Sequence, residues 1–574
     1  MLISRRLKPS LLTGAIALLL GAQAHAALIV NDNLEGAWYN AAEAGRGALV
    51  DFIPSGPGAG TLFVAIFTYD VQGNPLWLTT QTTVNEGEFS FANMPVLRFT
   101  GGTFGSPFTT PSNTQLGTAT VTFNSCSDLR VNIAPAAGVT LPAANYTFSR
   151  PGAVPQACAY VQPFTACPTG TTAVASAPRT CKITSPVTGE VRLTNGATYL
   201  IDGPTRVGTG RNTGPGTLTI EPGTLITGSG ATLSYLAVQP GSRLIAQGRH
   251  DAPIIFTGPT PTNGSWAGVV IAGNSQCNSS VDGSPCVFEA VASQQFGGNN
   301  LTESSGILEF VQIRYAGQEV RPNEELNALT LLGVGSGTVI NNVQVYGGRD
   351  DGFEWFGGTV NHRNLIVLGA EDDGLDFDLG YQGRIQNAYV RQVPSIGTVG
   401  TDSNGIESDN NPTAFDAQPR TRPAIANFTV IGAGSVGNEG IRLRRGSGAI
   451  YSKGLVTGFN AEGLNFNDNA TFVNAGTPQS PGTELSMRDM FLSNTINFED
   501  AAADPYLVSA WYTAGINNRV GASPLAGTTP FPANTSLRVG VTSALDLFFE
   551  PTDFIGAFRS TDDNWAAGWT YDFR

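Results

Sequence analysis

The sequence predicts an all-β protein: a three-sided parallel β-helix over its C-terminal two-thirds, preceded by a small antiparallel β-sandwich or barrel. Three observations carry this expectation. Units of alternating apolar and polar residues recur at a spacing near 22 residues, one coil of such a helix. No unit could bury its apolar side alone, so stacked neighbours must supply the core. The 70 glycines and 35 prolines in 574 residues demand frequent turns rather than long helices.

Residues 1–26 read as a secretory signal. Arg5, Arg6 and Lys8 precede the apolar Leu11–Leu20, and Ala24-His25-Ala26 supplies a small-residue cleavage site. That run is too short to span a bilayer, so no integral membrane segment is expected after cleavage, and the address is periplasm, cell surface or medium. Export implies an oxidising compartment and disulfides. The spacing suggests Cys277–Cys286, with Cys126, Cys158, Cys167 and Cys181 pairing locally. The charge of −14, from 45 acids and 31 bases, argues against nucleic acid and anionic membranes, and towards cations or neutral polymers.

Residues 27–152 read as the small β domain. Leu62–Tyr69 is a strand, Asp70–Pro75 a turn, and Leu76-Trp77-Leu78 opens the next strand. The simplest role for Trp38, Tyr39 and Trp77 is to fill a small core. The run Gly36–Gly47, holding Trp38-Tyr39-Asn40 and Glu43-x-Gly45-x-Gly47, resembles a recurrent module of bacterial secreted proteins. The resemblance implies an accessory or binding role. Residues 153–192, rich in Pro, Ala, Thr and Cys, read as a linker.

From 193 to 574 the repeats set the fold. Leu218–Ile226 and Leu236–Ile245 match one another around Glu/Gln-Pro-Gly-Thr/Ser. A second pattern runs through Gly352, Gly374, Gly405, Gly440 and Gly463, at intervals of 22, 31, 35 and 23 residues. The longer intervals are one coil plus loops, placed near 391–403 and 410–423. A third pattern begins at Asn342, Asn364, Asn387 and Asn427, and these amides are expected to stack as an internal ladder. His362, beside the ladder, reads as a surface or corner residue. The closing aromatics Phe548, Phe549, Trp565, Trp569, Tyr571 and Phe573 read as a cap on the open end.

Gly333–Thr338, Val345–Gly358, Glu371–Asp378, Gly405–Asn410 and the ending Trp565–Trp569 resemble a family of bacterial secreted right-handed β-helix proteins with pectate-lyase-like architecture. The resemblance implies fold and export; the family has no assigned reaction, so no catalytic residue is carried over. The Arg-Thr-Arg-Pro at 420–423 does not reproduce the Arg-x-Pro-x-x-Arg of pectate lyases, and no Gly-His-Gly partners an Asp pair as in polygalacturonases.

If Phe353, Trp355, Leu375, Phe377, Ile406, Ser408, Ile441, Leu443, Leu464 and Phe466 point inward, two outward columns follow. One reads Glu354, Asp376, Glu407, Arg442, Asn465; the other Phe356, Asp378, Asp409, Arg444, Asn467. Asp376, Asp378, Glu407 and Asp409 then form a rectangle of carboxylates that repel one another unless compensated. Three readings stay open. The acids hold Ca²⁺, with Glu354, Phe356, Arg442 and Arg444 meeting a polysaccharide or cell-surface glycan. Or Asp376, Asp378, Glu407, Asp409, Arg442 and Arg444 serve a lyase or hydrolase acting on acidic glycans, through raised carboxylate pKa values or an arginine. Or they are a solvated ladder on a structural surface protein. Asp350, Asp351, Asp372 and Asp373 read as turn residues, with Ca²⁺ ligation across stacked turns a secondary expectation. The leading expectation is a non-catalytic exported glycan binder that uses calcium.

Overall fold

The computed structural model describes residues 27–28 and 34–573, apart from 57–58, 86–89, 104–108, 126, 152–159, 162–163, 178, 281–283, 322–323, 435–437, 526–528 and 542–544. The expected leader, Cys126 and Cys158 lie outside the described residues.

Residues 36–148 form an eight-stranded antiparallel meander, each strand pairing with the next. Tyr39 and Ser149 exchange two 2.8 Å backbone hydrogen bonds, which bring the last strand back to the first, so of the two expected forms this is the barrel. Its interior is aliphatic and aromatic, with Trp38, Leu62, Val64, Ile66, Val121, Phe123 and Phe148 all buried. The period-two alternation of Leu62–Ile66 puts this set on one face.

The remainder is a parallel β-helix. One wall is a ten-stranded sheet running from Pro204–Val207 to Ile496–Phe498. The other two walls join into a 17-stranded sheet because, from Gly306–Ala316 onward, single long strands turn the corner without a break. The turn is made by one left-handed residue per coil: Phe310, Asn342, Asn364, Asn387, Asn427, Lys453 and Asp489, with φ between 50° and 65°. Asparagine tolerates this conformation better than other side chains. The same residues build the expected ladder. Asn387 Nδ2 donates to Asn364 Oδ1 (2.8 Å) and Asn364 Nδ2 to Asn342 Oδ1 (2.9 Å), while Asn427 turns away to the Phe554 carbonyl (3.0 Å).

Three expectations need correction, and one sequence match needs a structural explanation. The wall begins within the presumed linker: Thr180–Ile183 pairs with Thr198–Ile201, and Gly189–Leu193 with Gly216–Ile220, anchored by the Cys167–Cys181 disulfide. Leu218–Ile226 and Leu236–Ile245 are not stacked copies. They round different corners, and Leu218 pairs with Leu244. A shared Pro-Gly turn, with Gly223 and Gly241 at φ +76° and +89°, makes their sequences alike.

His362 is completely buried. It occupies an inward column with Ile340 and Ile385, and accepts a 2.9 Å hydrogen bond at Nε2 from Trp355 Nε1. Burial depresses its pKa to about 3, so it stays neutral. Finally, the closing aromatics do not cap the end. The short helices Asn469–Ala475 and Val508–Ala514 do, seating Phe472, Trp511 and Tyr512 against the last core rings. The tail instead runs back along the outside of the helix. Phe558 and Trp569 cover Tyr315, Tyr346, Ile366, Leu368 and Tyr389, and Gln344 brackets Tyr571 through its carbonyl (2.8 Å) and amide (2.7 Å).

Candidate functional site

The ten-stranded wall positions the site. Phe353–Phe356, Leu375–Asp378, Ile406–Asp409, Ile441–Arg444 and Glu462–Phe466 are stacked in register. Every inward residue named from the sequence is buried, and Trp355 stacks on Phe377 at 4.6 Å. Alternation therefore turns the intervening residues outward. Glu354 pairs with Asp376, Asp376 with Glu407, Glu407 with Arg442 and Arg442 with Asn465.

Outward does not mean solvated. A cleft of about 520 Å³ lies over this column, lined by Glu354, Asp376, Glu407 and Arg444 of the wall. The corner residues Asp350, Asp351, Asp372 and Asp373 and the loop residue Asp402 complete its floor and rim. Its far side is Phe288–Ala290, from a segment held by the Cys277–Cys286 disulfide. Nothing periodic marks that segment, and only the paired cysteines hinted at a fixed loop.

The remaining residues of the second column fall outside the cleft. Phe356 is 3% exposed and packs under Phe288 at 5.2 Å, so its ring offers no face to a ligand. Asp378 takes a 2.6 Å hydrogen bond from the Leu379 amide. Asp409 is gripped by Arg444 Nε at 2.7 and 2.9 Å and by Arg445 Nη1 at 2.6 Å. Arg444 also meets Glu407, and Arg442 reaches Asp402 (2.5 Å) and Glu407 (3.6 Å). Of the two loops, the first brings Asp402 to the cleft. The second is tied to Asn278, whose Nδ2 donates to Asn410 Oδ1 at 2.8 Å.

The charge balance within the cleft is unequal. At the arginine end Glu407 has two guanidinium neighbours and the Asn404 amide (3.1 Å), yet burial and Asp409 still push its pKa up to about 7. Further along, burial and neighbouring carboxylates push Asp351, Glu354, Asp373 and Asp376 well above the usual range. Asp351 and Asp373 each accept one backbone amide from the next coil, at 2.8 and 2.5 Å. Asp376 Oδ1 is buried and has no hydrogen-bond partner; neither has Asn327 Oδ1, on a side chain only 2% exposed beside Glu354.

Two buried oxygens without hydrogen-bond partners in a carboxylate cleft are groups that a cation could satisfy. Asp351, Glu354 and Asp376 bring ligand atoms within 4.8 Å of one another, and so do Asp373, Asp376 and Glu407. The all-oxygen donor set fits a hard cation such as Ca²⁺. Asp376 is common to both triads, whereas Asp378 and Asp409, also expected as ligands, are committed to a backbone amide and to arginines.

A periplasmic alginate epimerase, AlgG, is a structural neighbour at 9% identity and a TM-score of 0.22, covering 60% of this chain and 85% of that one. A likeness that distant carries no functional argument. A search of curated proteins finds no matching relative. The family model described as a pectate-lyase like beta helix domain matches residues 184–570, most of the chain, and the ten-stranded wall with the cleft over it lies within that range. The chain belongs to the pectate-lyase-like β-helix family.

Proposed function

We propose that this is an exported, non-catalytic protein that binds extracellular polysaccharide or cell-surface material at the acidic cleft, with calcium. The observation that carries the reading is Asp376 Oδ1, buried and unpartnered at the junction of two carboxylate triads. Apo, these groups can avoid repulsion only by holding protons. Ca²⁺ bound by Asp351, Glu354, Asp373, Asp376 and Glu407 would supply the compensating charge and coordination positions for glycan oxygens. The chain's own part is to exclude water with the Phe288–Ala290 wall and to keep Glu407 oriented through Arg444 and Asn404. Polysaccharide as the ligand class draws support from the family, and export from the leader and from the Cys167–Cys181 and Cys277–Cys286 disulfides.

Binding is favoured over lyase chemistry because neither Arg442, held by Asp402 and Glu407, nor Arg444 is free to act. Arg444 is shared between Glu407 and Asp409, which raise its pKa further, so it cannot serve as a base. A glycoside hydrolase is the second reading, favoured by one observation: Glu407, with a pKa raised to about 7, suits a general acid. Mature protein applied to immobilised uronate-rich glycans, with Ca²⁺ and then with chelator, separates these readings. Calcium-dependent retention without new reducing ends or unsaturated products is the expected result. Product formation that disappears in Glu407→Gln would establish the hydrolase, and neither retention nor products, with or without Ca²⁺, would leave only a structural surface protein.

A further inference from the structure

The motif Trp38-Tyr39-Asn40 with Glu43-x-Gly45-x-Gly47 plays no part in the cleft, and the barrel gives it another purpose. Trp38 is buried as expected, but Tyr39 and Trp77 are not core residues: they are 42% and 60% exposed. Phe67 and Tyr69 are 40% and 39% exposed on the same outer face. Register explains the set. Tyr39 pairs with Gly47, Gly47 with Phe67 and Phe67 with Trp77, so one row crosses four adjacent strands as ring, glycine, ring, ring. Phe67 and Trp77 lie side by side, centroids 6.3 Å apart and planes 21° from parallel. At about 4.8 Å per strand the row is roughly 14 Å long.

The rest of the motif fixes this row in place. Asn40 Oδ1 accepts the Ala42 amide (2.9 Å) and Arg46 pairs with Glu43 (2.9 Å), which shapes the turn after Tyr39. Gly45, at φ +86°, lies under Tyr69: a Cβ there would fall 2.1 Å from the tyrosine oxygen. At Gly47 a Cβ would meet the Trp38 carbonyl at 2.8 Å, so the floor between Tyr39 and Phe67 stays bare. At the other edge Asp70 is turned into its own loop, accepting the amides of Gln72 (2.9 Å) and Asn74 (2.8 Å).

We infer that this row is a stacking platform for the pyranose rings of a polysaccharide, a second binding site that works without calcium. Three features select that occupant. The patch's charges are internally matched or turned away, which suits a neutral ligand. Its rings present negative faces, complementary to the weakly positive C–H face of a sugar ring, while the hydroxyls at that ring's edge keep their water. And the four side chains offer roughly 300–450 Å² at their observed exposures, well short of the about 800 Å² per partner of a stable protein interface. A linear chain needs no more than this strip. The platform shares its ligand class with the cleft but rests on different residues.

The test uses the full mature protein, with chelator present so that the cleft is silent. Retention is measured on microcrystalline cellulose, chitin and an insoluble β-1,3-glucan for the native chain, Trp77→Ala, Phe67→Ala and Asp376→Asn. Retention on at least one matrix, weakened about tenfold or more by either ring substitution and unchanged by Asp376→Asn, is the expected result. No retention on any of the three, or retention indifferent to both ring substitutions, overturns the platform whatever the cleft does. So does a concentration-dependent dimer, or binding to phosphatidylcholine vesicles, that depends on Trp77 in place of glycan binding.

Discussion

Replacing Glu407 by Gln should flatten the pH dependence of stability of the metal-free protein. Glu407 has its pKa raised from 4.5 to about 7 by burial and by Asp409, against the opposing pull of Arg444 and Arg442. Between those values the folded state binds more protons than the unfolded state, so stability is fully present below pH 4.5 and is lost as pH rises through about 7. At 1.36 kcal/mol per pKa unit the group accounts for about 3 kcal/mol. Its side chain is only 7% exposed, so solvent screening takes little from this figure. A β-helix of roughly 400 residues has an unfolding entropy of about 0.8 kcal/mol per kelvin, which makes the effect about 4 °C in Tm. The assay is a thermal melt of chelator-treated protein from pH 4.5 to 7.5. The native chain should lose stability across that range, and Glu407→Gln should lose about 4 °C less, its Arg444 still held by Asp409. A native curve that rises between pH 5 and 7, or a variant with the native slope, would refute the placement of Glu407 in a low-dielectric carboxylate cluster.

The ladder, the core and the tail are equally open to measurement. Asn364→Ala should cost about 2–3 kcal/mol in urea unfolding, because alanine lacks the polar side chain that lets asparagine tolerate φ +60° and because two ladder bonds are lost; Asn364→Gly should recover about 1 kcal/mol of that. Equal losses would mean the left-handed corner carries no strain for alanine. Trp355→Ala should cost about 3–5 kcal/mol, since its ring packs on Phe353, Phe377 and Tyr381, while Trp77→Ala should stay within about 0.5 kcal/mol. Ending the chain at residue 524 should uncover Tyr315, Tyr346, Ile366, Leu368 and Tyr389 and raise binding of a hydrophobic dye at neutral pH. Unchanged dye binding would mean the strap covers nothing of consequence.

The stacked wall was legible in the sequence because two periods coincide there. Alternation every second residue fixed which side chains face out, and the 22-residue glycine spacing fixed which ones become neighbours, so the amino-acid order alone aligns Glu354, Asp376, Glu407 and Arg442. The same logic, applied to His362 in place of the surface or corner reading, puts it inward: it stands two residues before Asn364, as Ile340 stands before Asn342 and Ile385 before Asn387. Its polarity concealed a position that the pattern reserves for an apolar residue.

What the repeats could not show was anything arriving from outside them. Phe288–Ala290 closes the cleft from an insertion with no period of its own, and that closure turns surface carboxylates into buried ones. It also hides Phe356, which alternation alone exposes. Asp351 and Asp373 looked like turn residues because Asp before Gly so often is one; only the proximity of the next coil makes them part of the carboxylate set. The tail's destination was illegible for a similar reason. Its aromatics announce burial but carry no register, and the lateral wall competes with the open end as a place to bury them.

The most direct test of the central claim is a calorimetric titration of Ca²⁺ into chelator-stripped mature protein, repeated with Asp376→Asn. Saturable binding in the native chain, with a Tm that rises as calcium is added and both effects lost in the variant, is the predicted result. A native protein indifferent to calcium, or a variant that binds it equally well, would contradict the claim that Asp376 is the shared ligand of a cation site.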